Sequence, residues 1–211
     1  MTGIAVTGAA GRMGREVLAA AADREAFDVA FAVNRTSVDE LIAGVVVESS
    51  DNFGALLAEY EPDVVVDFTG PESALTYADA CADVGVTLVT GTTGFDDAGL
   101  DALQAAAEST AVLKASNFSR GVAALRLAVQ EATAALPDAD IELTETHHNA
   151  KRDAPSGTAK TLLDDIEDVR NDLNERVHGR EGEAPRDADE IGVHARRAGD
   201  IAGEHEVLLG G

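Results

Sequence analysis

Apolar and polar positions follow two different periods over the first 118 residues. Short apolar runs at residues 4–7, 29–33, 64–68, 86–89 and 111–113 read as strands buried on both faces. Between them, residues 14–22, 71–84 and 96–108 carry helical spacing, and Pro71 stands where a first helical residue needs no N–H. Strands alternating with helices predict an α/β fold with a doubly wound parallel sheet of Rossmann type, right-handed crossovers and helices on both faces.

The pattern changes near residue 118. A long helix is predicted over 121–136, ended by Pro137. Residues 141–146 alternate like a strand with one wet face. A further helix is predicted over 158–173. The polar stretch 171–189, with Gly179, Gly182 and Pro185, reads as a mobile loop, and 191–196 and 205–209 read as strands. Residues 1–118 thus form one domain and 119–211 a second, α+β domain with a mixed sheet. The last strand runs into Gly210-Gly211, a turn signal with nothing after it, so the second domain is expected to be incomplete.

Composition narrows the function classes. Of 211 residues, 45% are hydrophobic, which supports a globular core. Acidic residues number 39 against 16 basic, for a net charge of −23, and such a surface repels nucleic acid. It also fits a salt-adapted protein, whose carboxylates stay hydrated where self-repulsion is screened. No apolar run is long enough for a membrane span, so no membrane partner is expected. Residues 1–4 lead directly into a strand, without a basic and then apolar leader. The single cysteine, Cys81, rules out an internal disulfide and fits the cytoplasm.

The first strand is followed by Gly8, Ala9, Ala10, Gly11, Arg12, Met13 and Gly14, at the opening of the first helix. Glycines there let backbone approach a pyrophosphate, while the helix N-terminus supplies N–H groups and a positive dipole end. A turn that needs glycine only for geometry would look the same; its place as the first strand–helix turn favours a dinucleotide. The second strand ends in Asn34 and Arg35, with no carboxylate at its tip. That tilts the reading toward NADPH, whose 2′-phosphate an arginine accommodates, and leaves NADH open. Arg12 offers a second cation.

The densest chemistry lies at residues 145–158. Adjacent His147 and His148 end a strand, Lys151 is one of only three lysines, and Ser156-Gly157-Thr158 opens a helix. With Arg152 they predict a local positive patch for a carboxylate-bearing substrate. No cysteine or well-spaced third histidine accompanies them, so no metal is expected.

These stretches resemble the 4-hydroxy-tetrahydrodipicolinate (dihydrodipicolinate) reductase family. The matching residues are the glycine turn, Val66-Asp67-Phe68-Thr69 with Pro71-Glu72, Gly91-Thr92-Thr93-Gly94-Phe95, Ser116-Asn117-Phe118-Ser119, residues 145–158, and residues 197–205 from Arg197 to His205. The resemblance implies NAD(P)H-dependent reduction of a cyclic dicarboxylate in lysine biosynthesis. It makes His147 the general acid, assisted by Lys151. His148, Lys151, Gly157 and Thr158 would hold substrate carboxylates. Gly8, Ala9, Ala10, Gly11, Arg12 and Met13 would cradle the pyrophosphate, and Asn34 and Arg35 would meet the adenosine ribose. Gly91, Thr92, Thr93, Ala115, Ser116, Asn117 and Phe118 would frame the nicotinamide. A homotetramer is the assembly it implies. Two rivals remain: another Rossmann reductase of a small acidic substrate, and a non-catalytic dinucleotide-binding protein. The semialdehyde-dehydrogenase version of the first needs a nucleophilic cysteine, and Cys81 sits mid-helix between Ala80 and Ala82 with no basic neighbour.

Overall fold

A computed structural model describes residues 1–211, which form two compact units, Met1–Ala115 and Ser116–Gly211. The first unit holds strands β1 (Thr2–Thr7), β2 (Phe27–Asn34), β3 (Val38–Ile42), β4 (Val45–Ser49), β5 (Val64–Asp67), β6 (Thr87–Thr90) and β7 (Val112–Lys114). They form one sheet in the order β3-β4-β2-β1-β5-β6-β7, parallel throughout except that β3 runs antiparallel to β4.

Alternation along the strands builds two cores. Ile4 and Val6 of β1 pack with Leu18 and Ala21 of α1 (Arg12–Ala22). Ala5 faces the other way, toward α2 (Phe53–Tyr60), α3 (Pro71–Val84) and α4 (Asp97–Ala106). Local signals set the helix ends. Pro71 opens α3, Gly85 closes it at φ 74°, and the Asp96 carboxylate accepts the Gly99 N–H to cap α4. Strands β3 and β4 and helix α2 lie where the hydrophobic pattern makes no prediction.

The second unit holds α5 (Arg120–Ala135), β8 (Asp140–His147), α6 (Gly157–Val169), β9 (Glu175–His178), β10 (Glu190–Arg197) and β11 (Glu204–Gly210). Its sheet order is β11-β8-β10-β9. β11 is antiparallel to β8, whereas β10 is parallel to both β8 and β9, so the sheet is mixed. Ile141, Leu143, Ile191 and Val193 pack beneath Leu162, Leu163 and Ile166 of α6 and Val129 of α5.

Two expectations need correction here. The helix predicted to reach residue 173 stops at Val169, because the Arg170 guanidinium turns back onto Asp172 and the Ala139 carbonyl. The predicted mobile loop contains β9, an edge strand whose Arg176 is clamped by Glu167 of α6 at 2.6 Å and by Asp164. Polar Glu175-Arg176-Val177-His178 has no alternating apolar signature, so pairing and charge place it. No helix is long and apolar enough to cross a membrane.

Candidate active site

In the first unit, the turn after β1 depends on close backbone approach. A Cβ on Gly8, whose φ is +67°, would lie 2.7 Å from the Phe68 carbonyl oxygen. One on Gly14 would lie 2.3 Å from the Gly8 carbonyl oxygen. Larger residues would therefore push the turn apart. Gly8 and Gly11 open onto a cleft of about 680 Å³ that Asn34, Arg35, Thr36, Thr69 and Glu72 also line. Gly11 caps α1 with no side-chain acceptor, leaving first-turn N–H groups for an anion. A glycine cradle a Cβ would fill, a bare helix start and an exposed arginine at the second strand's tip together fit a dinucleotide.

Other members of the expected cofactor set play different parts. Ala9 is wholly buried and its N–H is held by the Val33 carbonyl, so it shapes the turn. The Ala10 carbonyl accepts from Arg15, and Arg12 and Met13 are exposed at the start of α1. Gly91 packs against the Phe68 ring. Thr92 is buried with its hydroxyl donated to Asp67, while Thr93 is exposed. Ala115 ends the first unit, its N–H bonded to Thr90. Ser116, Asn117 and the half-exposed Phe118 belong to the second unit.

In that unit, the histidine cluster is organised by a residue whose role the sequence did not reveal. Glu145 is completely buried, and its carboxylate accepts two bonds from Arg197, at 2.7 and 2.8 Å, and one from the Ser156 N–H. Its Oε2 also lies 2.6 Å from His147 Nδ1. Burial pushes this carboxyl up, but the Arg197 and His147 bonds outweigh it and hold it below the ordinary glutamate value. Because Glu145 Oε2 can only accept, His147 Nδ1 donates its N–H to it, and Nε2 is the nitrogen left to take up and give a proton. A Cβ on Gly203, at φ +148°, would come within 2.9 Å of that nitrogen.

His205 stacks edge-on against His147 at 5.2 Å and bonds Ser156 Oγ through Nε2 at 2.9 Å. Burial, with His147 beside it, pushes the His205 imidazole below its usual value. Lys151 lies 2.8 Å from Asp153, whose carboxyl it draws down against the effect of burial. The expected positive patch is therefore partly neutralised, since Asp153 matches Lys151 and Glu145 faces His147. Arg152 is exposed.

Ser156 caps α6 by accepting the Ala159 N–H, and Ser156's own N–H goes to Glu145. The N–H groups of Gly157 and Thr158 are left as first-turn donors for an anion. Thr158 Oγ1 accepts from Asn117, and Ser116 bonds Thr161, so Ser116 and Asn117 brace the start of α6. His148, half-buried, follows β8 directly. Cys81 is buried in the first unit's core, with its thiol pushed up to about 12 by burial and by Asp67, which removes it as a nucleophile.

Comparison with known proteins agrees across the chain. The family described as dihydrodipicolinate reductase, N-terminus, matches residues 2–118, and its C-terminal counterpart matches residues 121–211. A 4-hydroxy-tetrahydrodipicolinate reductase from Natronomonas pharaonis is 52% identical, covering 99% of this chain and 82% of that protein. Another, from Haloarcula marismortui, is also 52% identical, covering 100% of this chain and 82% of that protein. The structure of a dipicolinate-bound dihydrodipicolinate reductase from Paenisporosarcina sp. TG-14 superposes with a TM-score of 0.77 at 28% identity, over 100% of this chain and 84% of that one. An aspartate semialdehyde dehydrogenase from Vibrio cholerae shares the fold alone, with a TM-score of 0.58 at 14% identity, over 99% of this chain and 72% of that one.

Proposed function

The chain belongs to the dihydrodipicolinate reductase family, NAD(P)H-dependent oxidoreductases of lysine biosynthesis, and we propose that it reduces 4-hydroxy-tetrahydrodipicolinate with His147 as proton donor. The Glu145–His147 contact carries this reading. A carboxylate on Nδ1 fixes the ring and its tautomer, and stabilises the imidazolium that Nε2 protonation creates. A bound NAD(P)H supplies the hydride. Loss of the substrate hydroxyl as water leaves a ring C=C bond conjugated with C=N; the hydride takes one end of that bond, and His147 delivers a proton to the adjoining carbon at the other end.

Two groups of donors position the dicarboxylate. The Gly157 and Thr158 N–H groups and the Thr158 hydroxyl take one carboxylate at the start of α6. Lys151 and His148 take the other, and Lys151 leaves Asp153 to do so. Dipicolinate, bound by the solved relative, is a planar ring with two carboxylates and suits such a divided site. Lys151→Ala is expected to raise the substrate KM about tenfold and to lower kcat with it. Steady-state kinetics over a range of substrate concentrations measures this, and unchanged constants would contradict the site.

On the cofactor side, Arg35 gives a preference for NADPH, since it stands exposed on the glycine cleft at the tip of β2. Arg35→Ala should weaken NADPH at least about tenfold while leaving NADH nearly unchanged. Calorimetric titration with both cofactors checks it, and equal losses would contradict the 2′-phosphate role. A homotetramer in the cytoplasm, adapted to high salt, completes the proposal.

A further inference from the structure

Asp67 is a buried acid for which the proposed reaction has no role. It ends β5, is wholly inaccessible, and forms no ion pair with Lys, Arg or His. Its two oxygens instead accept four threonine hydroxyls. Thr7 and Thr69 donate to Oδ1 at 2.7 and 2.6 Å, and Thr90 and Thr92 donate to Oδ2 at 2.7 Å each. Four donors suit a carboxylate, which has acceptor sites only. Neutral hydroxyls solvate the charge without cancelling it, so its field persists in a weakly polar interior. On α3, burial raises Tyr77 and Cys81; a Ser50 hydrogen bond lowers Tyr77 in part, and the nearby Asp67 charge raises both.

The position of this charge in the sheet matters. Thr7, Asp67 and Thr90 are register partners at the carboxyl ends of β1, β5 and β6. Strand order reverses direction between β1 and β5, and open α/β sheets bind ligands outside the strand ends at such a switch point. The residues just beyond these ends, Gly8, Thr69 and Gly70, line the cleft. We propose that Asp67 is a fixed anion behind the cofactor cleft that favours the cationic, oxidised nicotinamide over the neutral, reduced one. By the same field it eases hydride departure, because positive charge grows on the ring as hydride leaves. The inference rests on the reading of this cleft as a nicotinamide dinucleotide site.

The test compares dissociation constants of NADP+ and NADPH for the whole chain, by calorimetry at high salt. Asp67→Asn removes the charge at nearly constant shape. It is expected to weaken NADP+ about tenfold relative to NADPH, the size of one unit charge acting through an interior of intermediate dielectric. Equal weakening of both would mean that Asp67 only holds the loops, and would overturn the proposal. If the unaltered chain binds neither cofactor, the dinucleotide reading itself fails.

Thr7→Val supplies a second measurement should Asp67→Asn not fold. It is close to isosteric, keeps the charge and removes one hydroxyl. Its affinity ratio should match that of the unaltered chain at neutral pH. The 2′-phosphate is present in both cofactor forms and cancels in the ratio. A ratio that shifts toward NADPH in Thr7→Val, which keeps the charge, would overturn the proposal.

Discussion

Replacing His147 by glutamine is expected to lower kcat by about 100- to 10,000-fold, the range typical of a lost general acid. Glutamine fills similar space and can still bond Glu145, but it has no proton to give at the Nε2 position. Cofactor affinity should stay unchanged, since the glycine turn and Arg35 belong to the first unit and His147 to the second. Pre-steady-state hydride transfer and a separate NADPH titration would divide these effects. A loss of less than a few-fold in kcat would remove His147 from the chemistry. A large loss of cofactor affinity would show that it acts by holding structure.

Glu145→Gln is expected to cost about 3–5 kcal/mol of folding stability, because it leaves the Arg197 guanidinium without its counter-charge at a buried site. For a chain of this size the melting midpoint should drop by about 10 °C. Activity should fall as well, since an amide no longer fixes the His147 tautomer. A thermal melt at constant salt and pH measures the stability loss, and a shift under about 2 °C would contradict the central place given to the carboxylate. The pH dependence has a definite sign. The folded carboxyl lies below its ordinary value of 4.5. Its contribution is present above that value and is lost as pH falls through the lower folded one. His205 acts in the same direction. Its folded value lies below 6.5, so the unfolded chain binds the proton more readily and stability declines as pH falls below that point. The Gln variant should therefore show a shallower decline below pH 4.5, having lost the Glu145 share, while the contributions of His205 and Asp153 remain.

Local chemistry made part of this legible in advance. Pro71 and Gly85 punctuate α3, and Asp96 and Ser156 cap α4 and α6, so these elements and their ends could be read from neighbouring residues. The same holds for the glycine turn, whose spacing marks the close approach found at Gly8 and Gly14. Elements set by tertiary pairing stayed hidden. Strand β9 is polar and is placed by β10 and by ion pairs to α6, and β3 and β4 are short strands at the sheet's far edge. At the candidate site, the residues proposed to act were visible and those that hold them were not. Arg197 lies 52 positions from Glu145, and Thr7 lies 60 from Asp67, so no spacing rule links either pair. Each of these bonds exists because parallel strands bring distant residues to the same sheet end.

The most direct test of the account is substrate-dependent oxidation of NADPH by this chain near molar salt, with the cyclic hydroxy-dicarboxylate generated in place by its synthase. Oxidation that begins only when substrate is supplied, and that His147→Gln abolishes while still binding NADPH, is the expected result. Tight NADPH binding with no substrate-dependent oxidation would contradict it, and would leave a dinucleotide-binding protein without the proposed chemistry.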